Sequence, residues 1–215
     1  MRSRFDEELD ILNNELIKMG SLVENLIEDA VDSLVNKDIE LANSIISKDD
    51  EVDAMEKSIE ARCLQLLLKQ HPVAGDLRLI SSILKMITDL ERIGDQAGDI
   101  AEISLLLADE KFIKKLTHIP QMGDATIKML NDSIDAFVNR NEELAYEVIE
   151  FDDVVDNLFD VIKKELIELV NKDIENGEQA INFIMIAKYL ERIGDHAQNI
   201  AEWVLFSITG KHLNG

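Results

Sequence analysis

Residues Leu90–Glu102 read LERIGDQAGDIAE, and one hundred positions later Leu190–Glu202 read LERIGDHAQNIAE. Ten of the thirteen positions are identical, a density that marks duplication of one unit within the chain. Each copy keeps a Glu-x-x-x-Asp pair, Glu91 with Asp95 and Glu191 with Asp195. With about 3.6 residues per turn, the two carboxylates of a pair stand one above the other on a single helix face. The pair reads as half of a cation site, with the rest of each unit supplying the other half.

Outward from the repeat, the pattern is helical throughout. Leu9, Leu12, Leu16, Met19, Val23, Leu26, Ile27, Ala30 and Leu34 recur at three- and four-residue steps, the signature of an amphipathic helix from Phe5 to about Val35. Asn36-Lys37-Asp38 is a polar break, with Asp38 the expected N-cap of the next helix. A second pattern runs through Leu41, Ile45, Ile46, Val52, Met55, Ile59, Cys63, Leu66 and Leu67 to His71-Pro72, where proline stops it. Gly75-Asp76 is expected to turn and cap a third helix, through Leu79, Ile80, Ile83, Leu84, Ile87 and Leu90 to about Leu107.

Residues 109–119 lose the period and read as the join, with Pro120 in the opening turn of the next helix. Residues 1–108 and 120–215 then form two units. Gly20 returns as Gly123, Asn36 as Asn139, and Asp49 and Asp53 as Asp152 and Asp156, all 103 residues on. The offset drops to 100 before the third helix, a three-residue deletion near Asn176-Gly177 that a loop absorbs. The fold class is all-α: a tandem duplication of an antiparallel three-helix bundle, six helices in all.

Composition agrees. Among 215 residues there are two Pro and nine Gly, few for anything but a helical chain. The net charge of -22 argues against nucleic acid and anionic lipid surfaces, and favours cations or basic partners. Cys63 is the one cysteine, so an internal disulfide is impossible and a reducing compartment is the simplest reading. The start, MRSRFDEELD, has no apolar signal region, and no run reaches the roughly 20 apolar residues of a membrane span. A soluble, cytoplasmic protein is expected.

Two acidic signals survive duplication: Asp49/Asp53 and Asp152/Asp156 on the second helices, and Glu91/Asp95 and Glu191/Asp195 on the third. Glu56, Glu60 and Asp99 extend the first copy, but Phe159, Lys163 and Asn199 replace them in the second, so only the recurring pairs are selected. A solvated acidic face is the simpler reading of any single pair, because a like-charge pair one turn apart costs only tenths of a kcal/mol. Two features weigh against it here. Gly94 and Gly194 sit inside the motif, each at a cost of about 1 kcal/mol relative to Ala unless something approaches closely. Antiparallel packing also brings the second-helix pair toward the third-helix pair. Carboxylates about 6 Å apart at an effective dielectric near 20 repel by about 3 kcal/mol per pair, which calls for protons or cations. All-oxygen ligands point to Mg, Mn, Ca or Fe rather than a thiolate zinc site.

Other chemistry is thinly represented. No Glu-x-x-His di-iron signature, phosphate loop or nucleophile elbow occurs. His196 points to another face than Asp195, Arg92 and Arg192 suit salt bridging, Cys63 suits the core, and Trp203 suits packing at a bundle edge. An enzyme is therefore not expected. The alternative is a metal-dependent hydrolase or oxidase built on a carboxylate-bridged cluster.

HPVAGDLRLISSILKMITDLERIGDQAGDIAE together with IAKYLERIGDHAQNIAEWVLFSITGKH closely resembles the PhoU family of phosphate-transport accessory and regulatory proteins. The resemblance implies a duplicated three-helix bundle whose paired acidic motifs hold metal clusters on the bundle surface. By position these fall on Asp49, Asp53, Glu91 and Asp95, and on Asp152, Asp156, Glu191 and Asp195. The implied cofactors are divalent or trivalent ions, single or clustered, with Fe, Mn, Mg and Zn as candidates. The implied role is negative regulation of phosphate uptake and of the phosphate-starvation response. It is exerted in the cytoplasm on the ATPase subunit of a phosphate ABC transporter and on a phosphate-sensing histidine kinase. Exposed helical faces, apart from the resemblance, suit a homodimer or larger assembly. Asn199 in place of Asp99 is a departure between the two copies.

Overall fold

In the computed structural model, which describes residues 2–70 and 73–213, the first unit comprises α1 (Arg2–Asn36), α2 (Ile39–Ser47), α3 (Asp49–Gln70) and α4 (Ala74–Leu107). The second comprises α5 (His118–Asn139), α6 (Glu142–Lys172), a short 3-10 turn at Ile174–Asn176, and α7 (Gly177–Thr209). Among the described residues the regular structure is helical throughout. Each α-helix but α2 has about six turns or more, and the apolar stripes expected from the sequence are the buried ones. Leu12, Leu16, Met19, Val23, Leu26, Ile27, Ala30 and Leu34 of α1 all face the core.

The turns repeat with the sequence. Asp38 Oδ1 accepts from Leu41 N at 3.0 Å, and 103 residues later Asn141 Oδ1 accepts from Leu144 N at 3.1 Å. Lys37 and Arg140, one residue before each cap, both take the left-handed backbone, with φ of 57° and 49°. These capping bonds end one rod and start the next within two or three residues, which forces neighbouring rods antiparallel.

Two boundaries differ from the sequence reading. The second rod of unit one is interrupted at Lys48, where ψ is -5° and the amide bonds to Ile45 O, while its counterpart α6 runs unbroken. Lys48 reaches across to Asp29 of α1 at 3.5 Å; in unit two Phe151 takes its place, and Lys128 pairs with Asp132 instead. The third rod starts at Ala74, so Gly75 and Asp76 lie inside its first turn rather than ahead of it. Asp76 Oδ2 accepts from Val73 N at 3.4 Å, so it caps from within. His71-Pro72, the expected stop of the second rod, lies outside the described residues.

The units pack into one body through α4 against α7 and α1 against α5, with α3 and α6 on the outside. The α1/α5 seam has internal two-fold symmetry. A Cβ on Gly20 would lie 2.0 Å from Ile134 Cδ1, and a Cβ on Gly123 would lie 2.8 Å from Val31 Cγ2. Gly20 corresponds to Gly123 and Val31 to Ile134, so each copy's glycine receives the other copy's β-branched side chain. This is the pattern of an isologous interface, here within one chain. The connector 108–117 is tied down by Gln179, whose Oε1 accepts from Ile113 N at 2.6 Å and whose Nε2 donates to Glu110 Oε2 at 2.7 Å.

Candidate metal centre

The paired acids lie along the two outer seams, α3 against α4 and α6 against α7. Backbone approach at the glycines sets their geometry. A Cβ on Gly94 would meet Val52 Cγ1 at 3.2 Å; on Gly194 it would meet Val155 Cγ1 and Asp152 Oδ1, each at 3.2 Å. Val52 and Val155 are equivalent residues, so both outer rods lean into α4 and α7 at the same register. Each lean carries the flanking acids, Asp49/Asp53 or Asp152/Asp156, toward the Glu/Asp pair on the inner rod.

The acids respond to one another across each seam. In unit one, crowding by protein raises the Glu91 carboxyl above its ordinary range, and Asp95, Asp53 and Glu56 add to it against the pull of Arg92. Asp95 is raised by burial first, then by Asp49, Asp53 and Asp99. In unit two, burial, Asp156, Asp195 and Glu191 push Asp152 up to about 6. Asp195 is raised by the same crowding and by Glu191 and Asp156. The structure thus brings together, within each unit, the four positions selected from the sequence, and holds the two sets apart on separate seams.

The first seam holds more acid than the recurring pairs. Glu56 is raised by burial, Glu60 and Asp53; Asp99 is raised by burial, Glu102 and Asp49. A hollow of about 250 Å3 is lined by Asp49, Asp95, Gln96, Asp99 and Glu102. Gln96 Oε1 is buried without a hydrogen-bond donor. Glu56 and Asp99 fall outside the recurring pairs because the second copy has Phe159 and Asn199 in their places. The signal was their continuation of the same helical stripe, Glu56 three after Asp53 and Asp99 four after Asp95.

In unit two the corresponding side chains are turned elsewhere. His196 Nδ1, at the place of Gln96, lies 2.9 Å from Asp89 Oδ1, and Asn199, at the place of Asp99, donates to the same oxygen at 3.3 Å. Existing cations also sit on the stripes. Lys57 donates to Asp53 at 2.6 Å, Lys188 pairs with Glu191, and Arg92 lies 3.5 Å from Glu91. Cys63 is in the core, its thiol pushed up to about 12 chiefly by burial, and Trp203 packs edge-on against Phe206 at 5.9 Å.

Among the described residues, no group of three or more His, Cys, Asp or Glu closes around one point as a ready coordination sphere. The donor set nevertheless suits a hard cation. It is all oxygen and mutually repelling, with Asp53, Glu91, Asp95, Asp152 and Glu191 partly buried and Asp49, Asp156 and Asp195 exposed, and an unpartnered amide oxygen lies beside it in unit one.

The fold and its acidic seams define a class: duplicated three-helix bundles with one carboxylate stripe per unit. The PhoU domain family matches residues 16–104 and 119–204, one domain for each half. The chain belongs to the PhoU family. It is 42% identical over 99% of its length to a phosphate-specific transport system accessory protein PhoU homolog of Clostridium acetobutylicum, covering 98% of that protein. It is 32% identical to the PhoU accessory protein of Escherichia coli, covering 99% of this chain and 89% of that one. The crystal structure of PhoU from Pseudomonas aeruginosa superposes with a TM-score of 0.92 at 36% identity, covering 96% of this chain and all of that one. The phosphate transport system regulatory protein PhoU from Streptococcus pneumoniae gives 0.89 at 31%, covering 97% and 99%. Among the described residues no helix is long and apolar enough to cross a membrane.

Proposed function

We propose that this chain is a cation-binding regulator of phosphate homeostasis that restrains phosphate uptake and phosphate-starvation signalling without chemical turnover. The observation that carries the cation-binding part is the convergence, on each outer seam, of an Asp pair from one rod and a Glu/Asp pair from the next, with carboxyls raised by burial first and then by one another's charge. Bound Mn, Fe, Mg or Zn ions would relieve that repulsion. Asp49, Asp53, Glu91 and Asp95 would hold them in unit one, and Asp152, Asp156, Glu191 and Asp195 in unit two. Ions so held would pin α3 to α4 and α6 to α7, fixing the outer surface of the body.

The regulatory part follows from family membership and from relatives named as accessory and regulatory proteins of phosphate transport. An acidic body of net charge -22 complements basic surfaces, and charge complementarity of that kind speeds docking and rejects wrong partners. The partners we assign are the ATPase subunit of a phosphate ABC transporter and a phosphate-sensing histidine kinase, met in the cytoplasm by a homodimer or larger assembly.

The test is removal of the gene from its host, with phosphate uptake and a starvation-responsive reporter measured in phosphate-rich medium. Both are expected to rise, and to fall again on return of the wild-type gene but not of a gene with all eight carboxylates neutralised. Unchanged uptake and reporter after removal would overturn the regulatory assignment. Full rescue by the neutralised gene would separate regulation from the acidic seams.

A further inference from the structure

One of the differences between the two seams changes both rods at once. Unit two has Phe159 on α6 facing Lys188 on α7, and at the equivalent positions unit one has Glu56 on α3 and Thr88 on α4. The exchange changes both sides together. Thr88 turns its hydroxyl back to Leu84 O at 3.2 Å and offers the seam no charge, and Glu56 adds a carboxylate to it. In unit two the Lys188 ammonium pairs with Glu191 and lies 5.7 Å from the centre of the Phe159 ring, a cation-π distance. An acid in one copy is thus replaced by an aromatic seat for an amine in the other.

We propose that Lys188 is a resident cation of the second seam, which any metal ion must displace from Glu191, so that unit two binds cations more weakly than unit one. This assignment rests on the cation-binding reading above. Two pairs in unit one compare with Lys188 on Glu191: Lys57 on Asp53, with side chains 67% and 40% exposed, and Arg92, 58% exposed and 3.5 Å from Glu91; both cations stand where an ion pair is largely screened by water. Lys188 and Glu191 are 40% and 16% exposed, so the pair in unit two is the deepest and has an aromatic face as well. The other end of the second seam is curtailed too, because His196 and Asn199 are held on Asp89. Lys188 is therefore a positioning residue for the centre, acting through Glu191.

Mn2+ binding to the full chain by titration calorimetry tests this, with unit two isolated by Glu91→Gln/Asp95→Asn and unit one by Glu191→Gln/Asp195→Asn. Lys188→Met, which keeps the apolar stem and removes the charge, is expected to tighten Mn2+ at unit two about tenfold. Lys188→Arg is expected to leave it within about twofold. The reciprocal Thr88→Lys/Glu56→Phe change should weaken unit one about tenfold more than Thr88→Met/Glu56→Phe does, and that comparison decides the matter alone if circular dichroism shows Lys188→Met to be unfolded. Equal affinity before and after these changes overturns the assignment, as does the same tightening with arginine. Absence of Mn2+ binding by the parent protein in both backgrounds overturns the cation-binding reading itself and this assignment with it.

Discussion

Neutralising Asp152 should stabilise the protein when no cation is present. Its carboxyl lies at about 6 in the folded chain against an ordinary 3.8, because burial and then Asp156, Asp195 and Glu191 oppose ionisation. The folded-state value is the higher one, so the linked stability is fully present below 3.8 and is lost as pH rises through about 6. A displacement of that size corresponds to at most about 3 kcal/mol. The side chain is only half-buried, and solvent screening brings the expected effect to about 1 kcal/mol. For a chain of this length that is a rise in Tm of about 2–4 °C. The assay is urea and thermal unfolding of chelator-treated wild-type and Asp152→Asn protein between about pH 4 and about pH 8. The variant should be the more stable near pH 7.5, with the difference shrinking toward zero near pH 4. Added Mn2+ should reverse the order, since the wild-type protein gains binding free energy that the variant has lost. A variant less stable than wild type near pH 7.5 without metal, or a difference that persists near pH 4, would refute the account of Asp152 as an acid strained by its neighbours.

Gly194→Val should pry α6 from α7, because a Cβ there already meets Asp152 Oδ1 and Val155 Cγ1 at 3.2 Å. Mn2+ titration should show unit two weakened at least about tenfold and unit one unchanged. Gly123→Ala drives a methyl group to within 2.8 Å of Val31 Cγ2 across the α1/α5 seam. Overpacking there should cost about 1–3 kcal/mol in urea unfolding. Combining it with Val31→Ala should recover more than about 1 kcal/mol of that loss in a double-mutant cycle. Asp38→Ala removes the bond from Leu41 N and should lower stability by about 1 kcal/mol, measured the same way; an effect near zero would show that the turn is held by its backbone alone.

The helices were legible because burial follows period: the residues at three- and four-residue steps in α1 and α4 are the ones the core encloses. Asp38 was legible as a cap because its carboxylate and the following apolar run are both local. The break at Lys48 was not, since nothing between Ser47 and Glu51 forbids a helix. The interruption accompanies a long-range contact with Asp29. The start of α4 was misplaced for a similar reason. Gly75 reads as a turn, but the helix covers it while Asp76 caps from the third position. The seam between units was invisible locally, yet Gly20 and Gly123 were repeated at positions that proved to receive Ile134 and Val31. For the acidic centre, duplication separated the shared carboxylates from the rest, and that same filter hid what differs between the copies. Glu56 and Asp99 fall outside that filter because they do not repeat, Lys188 carries no acidic signal at all, and these are positions where the two seams diverge.

Elemental analysis of the purified protein, after exposure to Mn2+ and Fe2+ and gel filtration, tests the cation-binding claim most directly. The comparison is a variant carrying Asn at 49, 53, 95, 152, 156 and 195 and Gln at 91 and 191, with helical content checked by circular dichroism. Metal retained by the wild-type protein and absent from the folded variant is the predicted result. Equal metal in both, or none in either, would contradict it and leave the seams as solvated acidic faces.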